Sequence, residues 1–381
     1  MKRFLSLMLI LVLLGSAGGV YAEPLRDGEL KIAAPSAVLM EKETGELLYE
    51  KGAHERRPPA SVTKVMTLLL IIEDIENGKI STEDIVTASA RAASFGGSCV
   101  YLEEGEQMSV DEMLKCIAVV SANDCAVAMA EHLCGSEEVF VERMNRRAAE
   151  LGMADSHFTN CTGLFEDTDH YTTAYDIALM SRELVRHELI KRYTTIWMDT
   201  IRGGAFGLSN TNKLVYWYPG CTGLKTGYTS EAMYCLAASA ERDGVEYIAV
   251  IMHGDSIESR NADAKALLNY AFANFTLAPL PQGEDLPEAA VVYGTRASVP
   301  LALDGEQRFL LVAKGGESCS FSYSLPAELS APLDEGERAG ELIVTRGGEE
   351  LARLGLVTAQ RVERIGFWGI LGRLAGSLVG L

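Results

Sequence analysis

Basic residues are scarce in this chain of 381 residues, which carries 34 Lys and Arg against 53 Asp and Glu and a formal net charge of −19. Nucleic-acid binding relies on clustered Lys and Arg that neutralise phosphates, so this balance argues against a nucleic-acid partner. Apolar runs are also few, since the mean hydropathy is only +0.08, which argues against a polytopic membrane protein. The remaining composition, 48% hydrophobic and 23% charged, is that of a globular protein whose length favours two domains.

Closely spaced cysteine pairs are also missing. The eight cysteines contain no Cys-x-x-Cys arrangement, so no zinc site is predicted. An even number would allow disulfides in an exported chain, but the spacing favours no particular pairing. Cys116, Cys125 and Cys134 fall in an apolar helical stretch, where small buried hydrophobic side chains are the simplest interpretation.

The N-terminus has the pattern of an export signal. Two basic residues at positions 2 and 3 precede an apolar run from Phe4 to Leu14, which is too short to span a bilayer as a helix. Small residues follow, and Val20-Tyr21-Ala22 fits a signal-peptidase site. We therefore expect residues 1–22 to be a cleaved signal peptide and the mature chain to be exported to the outer face of the bacterial cytoplasmic membrane.

The C-terminus carries a second membrane signal. The segment from Ile365 to Leu381 has one charged residue, Arg373, and at helical spacing its glycines fall on one face and its large apolar residues on the other. The segment is short and its arginine is central, so a helix that lies in the membrane interface fits better than a spanning helix. We expect residues 361–381 to form this amphipathic helix, with its arginines near lipid headgroups. A helix that docks on the protein itself is the alternative.

Periodicity along residues 30–276 predicts strands on either side of a block of helices. The expected elements are a hairpin over 36–50, helices over 61–77, 111–134, 137–151 and 175–191, a strand over 222–228, a hairpin over 235–252 and a helix over 261–275. This order is typical of an α+β fold and not of a βαβ repeat. Pro279, Pro281 and Gly283 then mark a boundary, and the short alternating runs of residues 284–360 predict a small all-β domain without evident chemistry.

Three short motifs carry the candidate chemistry. Ser61-Val62-Thr63-Lys64 opens the first predicted helix, Ser121-Ala122-Asn123 interrupts an apolar helical block, and Lys225-Thr226-Gly227 lies on the predicted strand. Each motif alone is weak, because such short patterns occur often by chance. All three in this order, each on the element that its role needs, are a specific signal for serine acyl transfer.

Ser61 follows two prolines at the start of a helix, where serine is most often a simple N-cap. The same position has free backbone N–H groups and a partial positive charge, which favour a developing oxyanion. Lys64 lies one turn further along the same face. A neutral Lys64 accepts the serine proton if burial and a second cation, for which Lys225 is the candidate, depress its pKa. The simpler alternative for Lys64 is a solvated surface lysine.

The other two motifs have structural alternatives of their own. Ser121 and Asn123 could form a cap or a kink between two helices. The catalytic interpretation has Ser121 relay a proton to the leaving group, while Asn123 holds Lys64 and the substrate amide. Lys225 and Thr226 suit a substrate carboxylate, and the glycine after them allows close approach to a ligand. Standing alone, this third triplet would be a strand end with a glycine bulge.

Together the three motifs resemble those of the low-molecular-mass penicillin-binding proteins, the serine D-alanyl-D-alanine carboxypeptidases. The similarity covers residues 30–276 well and the remaining chain in order and size. The matching segments beyond the three motifs are Pro59–Thr67, Asn160-Cys161-Thr162-Gly163-Leu164, His170-Tyr171-Thr172-Thr173-Ala174 with Asp176, and Gly223–Thr229. The resemblance implies a β-lactamase/transpeptidase-like domain, with an antiparallel sheet and a helical block, followed by a small all-β domain and a C-terminal amphipathic helix.

By this resemblance, Ser61 is the acylated nucleophile, Lys64 is its base, and Ser121 with Asn123 forms the second catalytic element. The implied reaction is a two-step acyl transfer: Ser61 attacks the carbonyl of the penultimate D-Ala of a peptidoglycan stem pentapeptide, and water hydrolyses the acyl-enzyme. β-Lactam antibiotics would acylate the same serine and be released slowly. No metal ion and no organic cofactor is expected.

The same resemblance assigns substrate binding to Lys225-Thr226-Gly227. Tyr228, which stands where the family often has histidine, would supply a backbone N–H to the oxyanion hole together with the N–H of Ser61. Arg260 is similar in placement to a family arginine that helps to bind the terminal carboxylate. His170 is interpreted as structural rather than catalytic.

Three other functions are weighed against this one. A class A β-lactamase shares the first and third motifs, but no Glu-x-x-Leu-Asn follows Ser121 and the β domain is unexpected there. A catalytically silent cell-wall-binding protein would retain the fold, but the intact Ser61, Lys64 and Lys225 argue against it. An endopeptidase that cuts cross-links is compatible with the motifs.

Overall fold

The computed structural model describes residues 30–164 and 168–371 of the chain. They form two compact units. The first extends to Leu277 and includes Leu311–Lys314, and the second contains Ala278–Leu310 and the residues from Gly315 onward. The predicted signal peptide, residues 1–22, lies outside the described residues.

In the first unit, strands of one sheet lie on either side of a block of helices along the chain, and a long helix follows the last of these strands. Its elements are β1 (Ser36–Glu41), β2 (Leu47–Lys51), α1 (Lys64–Glu76), β3 (Ile85–Thr87), α2 (Ala90–Ala93), β4 (Gln107–Ser109), α3 (Val110–Lys115), α4 (Asn123–Cys134), α5 (Glu137–Glu150), α6 (Ala174–Arg186), α7 (Lys191–Thr194), β5 (Met198–Ile201), β6 (Phe206–Ser209), α8 (Leu214–Trp217), β7 (Cys221–Thr229), β8 (Met233–Arg242), β9 (Val245–Gly254), α9 (Ile257–Asn274) and, at its border, β10 (Phe275–Pro279). This arrangement confirms the predicted α+β class.

The main sheet is antiparallel and five-stranded, with the order β2-β1-β9-β8-β7, so that β7 forms one edge. Both faces of the sheet are covered. Ala237 and Val250 face the helical block, whereas Leu236 and Ala249 pack with Leu267 of α9. Because neither face meets water, the middle strands are apolar almost throughout and do not alternate between apolar and polar residues. They support β7, which lies beside the turn that precedes α1.

The helix α1 runs through the core of this unit. Leu69, Leu70 and Ile71, which point to different sides of the helix, are all 1% exposed or less, so its apolar character all round reflects a buried helix rather than an amphipathic one. The helix starts after a 3₁₀ turn, Ala60–Thr63, and ends at Glu76, close to the predicted boundary.

The prediction of one continuous helix over 111–134 is wrong. After α3 the chain makes a π-helical turn, Cys116–Val120, and then breaks at Ser121, whose φ of 65° and ψ of 31° are left-handed. The N–H of Ala122 bonds back to the first carbonyl of that turn at 3.1 Å, and α4 starts afresh at Asn123. Periodicity missed the break because apolar residues continue across it, while the wider turn moves Ser121 out of the helix.

Other predicted elements agree with the structure apart from their ends. The hairpins at 36–50 and 235–252 are confirmed by the antiparallel pairing of their strands. The helix predicted from 261 begins earlier, at Ile257, because the Ser256 side chain caps it by accepting the N–H of Ser259. The helix predicted over 175–191 ends at Arg186.

The second unit is a β structure, as its alternating sequence predicts. Its strands are β11 (Glu288–Val292), β12 (Ser298–Leu303), β13 (Phe309–Ala313), β14 (Ser320–Ser324), β15 (Leu329–Ser330), β16 (Arg338–Arg346) and β17 (Glu349–Thr358). The last residues of β13 are assigned to the first unit. A six-stranded sheet has the order β14-β16-β17-β12-β11-β15. Its core contains Val299, Leu342 and Leu356, each fully buried. The alternating burial along β12 is typical of a sheet with one covered face.

The last described residues only partly overlap the predicted amphipathic helix. Val362 and Arg364 form isolated β-bridges with Leu333 and Gly294, so helical structure begins after them, at 367. Residues 372–381 of the predicted helix lie outside the described residues. Within the described ranges, no helix is long and apolar enough to cross a membrane.

Candidate active site

The first motif brings the predicted nucleophile and base into contact. Ser61 lies in the 3₁₀ turn, and Lys64 is the first residue of α1, so their side chains point to the same side. The Nζ atom of Lys64 is 3.1 Å from the Oγ atom of Ser61, which is hydrogen-bond distance. Ser61 is therefore not a simple N-cap, and its hydroxyl faces an amine.

The surroundings of Lys64 favour a neutral amine. The side chain is fully buried, and this burial lowers the pKa of Lys64 to about 7. Its Nζ donates to the Oδ1 atom of Asn123 at 2.5 Å and to the carbonyl oxygen of Thr162 at 2.9 Å. These two oxygens can only accept, so they take the two N–H groups of a neutral amine and leave its lone pair for the hydroxyl of Ser61. The alternative of a solvated surface lysine is wrong.

Lys225 is the second buried amine of the site. It is 1% exposed, and burial lowers its pKa, with the charges of Lys64 and Arg260 as further causes. The sequence suggested that burial and the charge of Lys225 together depress the pKa of Lys64. In the structure burial is the main cause at Lys64, and the repulsion between the two amines acts on Lys225. The charge of Lys64 thus adds to burial in favouring a neutral Lys225.

The second motif lies between α3 and α4. Ser121 is 3% exposed, and within the described part of the chain its Oγ atom is buried without a hydrogen-bond partner. Such an orphaned hydroxyl is uncommon in a folded protein, and its left-handed backbone marks local strain. Asn123 is held by its Nδ2 atom, which donates to the carbonyl of Gly96 at 2.8 Å, and by its N–H, which donates to the carbonyl of Ser98 at 2.7 Å. These two hydrogen bonds hold Asn123 in place, with its Oδ1 atom directed at the Nζ atom of Lys64.

The third motif packs directly against the nucleophile. A Cβ atom added to Gly227 would lie 2.8 Å from the carbonyl oxygen of Pro59 and 3.0 Å from the backbone nitrogen of Ser61. No side chain fits there, so glycine is required for β7 to approach the turn. The edge of the sheet and the start of α1 therefore form the two sides of one cleft.

Polar groups on β7 and its neighbours complete the cleft. The hydroxyl of Thr226 donates to the Oγ1 atom of Thr211 at 2.9 Å. Arg260 is buried in α9 and donates from Nη1 to the carbonyl of Cys235 at 3.2 Å, while burial lowers its pKa to about 10. The positive charge of Arg260 helps to lower the pKa of Lys225. Arg260 on α9 and Lys225 on β7, both predicted to bind substrate, therefore lie near each other.

Sequence reasoning assigned no role to three residues that shape the site. Thr162 supplies a carbonyl to Lys64. A Cβ atom on Gly163 would fall 1.9 Å from the carbonyl oxygen of Ala60, and the Oδ1 atom of Asn160 accepts the N–H of Gly163 at 2.6 Å. These residues lie in a segment noted only for its family resemblance. Their signal was an Asn and a Gly close together, which is typical of a tight turn.

His170 is a support residue, in agreement with its structural interpretation. Its Nε2 atom is 2.8 Å from the Oγ1 atom of Thr63, in the nucleophile turn, and its Nδ1 atom accepts the N–H of Thr159 at 3.1 Å. The histidine therefore joins the turn to the segment that carries Thr162.

The eight cysteines are free thiols. Cys116 and Cys125 are fully buried, which agrees with their interpretation as small hydrophobic side chains, whereas Cys134 is only partly buried. Cys161, for which no such role was predicted, is also fully buried. Burial raises the pKa of Cys125 and of Cys161, so neither is a ready nucleophile.

These contacts define a class of enzyme. A serine hydroxyl in the turn before a helix contacts a buried amine, an asparagine holds that amine, and a glycine of the strand edge packs against the nucleophile. These are the catalytic groups of a serine hydrolase that forms an acyl-enzyme and uses lysine as the base.

The comparisons with known proteins specify the class further. The model of the D-alanyl-D-alanine carboxypeptidase family matches residues 23–256, and a second model, the C-terminal domain of penicillin-binding protein 5, matches residues 276–364. The chain belongs to the D-alanyl-D-alanine carboxypeptidases and is a serine-type peptidase.

Similar proteins extend over almost the whole chain. D-alanyl-D-alanine carboxypeptidase DacF of Bacillus subtilis is 41% identical over 99% of this chain and 99% of its own length. D-alanyl-D-alanine carboxypeptidase DacD of Escherichia coli is 32% identical over 98% of both chains. Among solved structures, penicillin-binding protein 5 of Haemophilus influenzae matches with a TM-score of 0.80 and 30% identity over 88% of this chain and 98% of its own.

Proposed function

We propose that this carboxypeptidase releases the terminal D-Ala of peptidoglycan stem pentapeptides through an acyl-enzyme on Ser61. The observation that carries the proposal is the 3.1 Å contact between the Oγ atom of Ser61 and the Nζ atom of Lys64. The two carbonyl partners of Lys64 leave its lone pair for that hydroxyl, and its pKa of about 7 makes the neutral form available at physiological pH.

Acylation begins with proton transfer to Lys64. The Oγ atom of Ser61 forms a bond to the carbonyl carbon of the penultimate D-Ala, and its proton moves to Nζ. The developing oxyanion lies at the N–H groups of Ser61 and Tyr228, next to the start of α1. The C–N bond then breaks, and the amine of the terminal D-Ala takes a proton that Lys64 passes on through the buried hydroxyl of Ser121.

Deacylation uses the same groups in reverse. A water molecule replaces the departed D-Ala, gives its proton to the neutral Lys64 and attacks the ester carbon. The Oγ–C bond breaks, Ser61 regains its proton, and the shortened peptide leaves with a free carboxylate. No step requires a group beyond those in the cleft.

The substrate carboxylate couples binding to catalysis. The protein carries a net negative charge, so capture of an anionic peptide depends on local cations. Lys225, Thr226 and Arg260 are the candidates, and an anion beside Lys225 raises its proton affinity. Because the two amines repel each other's charge, a protonated Lys225 keeps Lys64 neutral, which is the form that acylation needs.

β-Lactams are the expected inhibitors. A solved structure of penicillin-binding protein D2 from Listeria monocytogenes, in its ampicillin-bound form, matches 64% of this chain with 31% identity and a TM-score of 0.59. The lactam carbonyl would be attacked by Ser61 like the peptide carbonyl. Its leaving nitrogen stays tethered, which hinders the water that deacylation requires.

A membrane-surface location is the second part of the proposal. Phe367 and Trp368 are 71% and 79% exposed, and Ile370 and Leu371 beside them are about half exposed. Aromatic and apolar side chains of this kind favour the headgroup region of a bilayer. The mature chain, cleaved after residue 22, would then act on peptidoglycan from the outer membrane face, held by residues 361–381. Sedimentation with anionic vesicles tests this: the full mature chain should bind, and a F367S/W368S variant should remain in solution.

The function itself is tested by D-Ala release. Mass spectrometry of diacetyl-Lys-D-Ala-D-Ala after incubation with the wild type should show loss of one D-Ala, and S61A should release essentially none. Equal release by both proteins would remove Ser61 from its role. Penicillin turnover at many molecules per second would favour a β-lactamase, and release of cross-linked dimers into monomers would add an endopeptidase activity.

A further inference from the structure

A pair of tyrosines, of which one is largely exposed, lies at the catalytic end of β7. Tyr228 is 56% exposed, although it follows immediately after Gly227, which packs against the nucleophile. Its ring lies 4.5 Å from the ring of Tyr234, with the planes tilted by 35°. Large exposed aromatic rings next to a catalytic group commonly serve a binding surface.

The pair is built into the sheet. Tyr228 and Tyr234 are directly opposite in the register of β7 and β8, so their side chains share one face. Tyr234 is paired in turn with Gly254 of β9, where a Cβ atom would come within 3.2 Å of the carbonyl oxygen of Tyr234. The ring of Tyr228 therefore has the ring of Tyr234 beside it, while more than half of the residue remains exposed.

The position of the pair along β7 determines which part of a substrate reaches it. β7 is the edge strand of its sheet, and an edge strand binds an extended peptide as an additional strand. If the terminal carboxylate lies at Lys225 and Thr226, and the scissile carbonyl at Ser61 beside Gly227, the preceding residues continue toward Tyr228. The peptide then runs antiparallel to β7.

We infer that the side chain of Tyr228, backed by Tyr234, contacts the side chain of the residue that precedes the two D-Ala residues and selects for a long aliphatic stem there. The inference rests on the proposed function, because that function supplies the direction of the peptide. It gives the Tyr228 side chain a specificity role in addition to the backbone N–H at the oxyanion hole. Stacked rings offer a broad apolar face to methylene groups, and nothing comparable to a peptide with glycine at that position.

Two substrates with the same backbone test the inference. Diacetyl-Lys-D-Ala-D-Ala and acetyl-Gly-D-Ala-D-Ala differ at the residue before the D-Ala pair, and the ratio of their kcat/KM values measures the preference for a long side chain. In Y228A this ratio should fall by about tenfold relative to the wild type, mainly through KM. Y228F, which keeps the ring, should retain the ratio. Y234A should lower it by a smaller factor, because the supporting ring is lost.

Another exposed tyrosine of this unit supplies a matched control. Tyr216 is 58% exposed and lies 5.2 Å from the ring of Trp197, so Y216A removes a similar ring and should keep the wild-type ratio. Active sites are counted in every variant with a fluorescent penicillin, so that misfolded protein does not enter kcat. A wild-type ratio in both Y228A and Y234A would overturn the inference, although D-Ala release by the wild type would leave the proposed function intact. Release from neither substrate by the wild type would contradict the proposed function itself.

Discussion

The two units of the molecule differ in what they bury. The first unit buries charged side chains at several places, among them Lys64, Lys225 and Arg260. In the described part of the second unit, Thr358 is the only buried polar residue. Since transfer of a charge from water into a protein interior is costly unless it is paired, the first unit retains groups that stability alone would not select.

This difference separates a unit built for chemistry from one built as a simple β structure. In the first unit burial lowers the pKa of both amines, whereas the second unit is held together by an apolar core that includes Val299 and Leu342. Changes at the buried amines should therefore alter rate more than stability, and changes in the second core should do the reverse. The predictions below test that contrast, in decreasing order of the effect on rate.

Loss of the base should have the largest effect among these changes. K64A removes the group that accepts the proton of Ser61, and the acylation rate by a fluorescent penicillin should fall by about 10² to 10⁴-fold. Lys213 is an exposed lysine of the same unit, so K213A should acylate at the wild-type rate. Equal rates for K64A and the wild type would contradict the assigned role.

Substitution of Gly163, which shapes the cleft but carries no reacting group, should reduce the acylation rate less than K64A does. The Cβ atom in G163A collides with the carbonyl of Ala60, only 1.9 Å away, and must displace the turn that holds Ser61. Acylation should slow by about 10 to 100-fold, since a misplacement near 1 Å is enough for such a loss. The rate is measured by stopped-flow with a reporter β-lactam.

The matched control for this variant is Gly152. It has a φ of +77°, close to the +71° of Gly163, but a Cβ atom there meets nothing within 4 Å. G152A carries the same backbone cost, about 1 kcal/mol, without the collision, and should keep the wild-type rate. If the two alanine variants acylate at equal rates, the close packing of the two segments is irrelevant to catalysis.

A core change in the second unit should leave the rate unaltered. Leu342 is fully buried in β16, and L342A should lower the free energy of unfolding of that unit by about 2 to 5 kcal/mol. The rate of penicillin acylation per folded site should match the wild type. A reduced rate in L342A would mean that the β unit participates in catalysis, and the contrast between the units would fail.

The site was more predictable from sequence where the contacts are local. Ser61 and Lys64 are three residues apart at the start of a helix, so helix geometry alone places them together. The α+β class likewise followed from periodicity, because buried strands and a buried helix leave long apolar patterns.

Contacts between segments that are far apart in the sequence could not be predicted from local patterns. The carbonyl of Thr162 reaches Lys64, and the hydroxyl of Thr211 reaches Thr226, through packing that no local pattern records. The break at Ser121 was predicted only as an alternative, a cap or a kink between two helices, and its left-handed backbone left no mark in the pattern. Burial was correctly predicted as a cause of the low pKa of Lys64, but the added contribution expected from Lys225 is not among the causes in the structure.

The pH dependence of acylation tests the central claim most directly. Burial lowers the pKa of Lys64 to about 7, so below that value the amine is protonated and cannot accept the proton of Ser61. The acylation rate of the wild type should rise about tenfold per pH unit below pH 7 and level off above it, while K64A should show a slow rate without this rise. A wild-type rate that is flat, or that falls, between about pH 5 and pH 9 would contradict the role of a neutral Lys64 as the base.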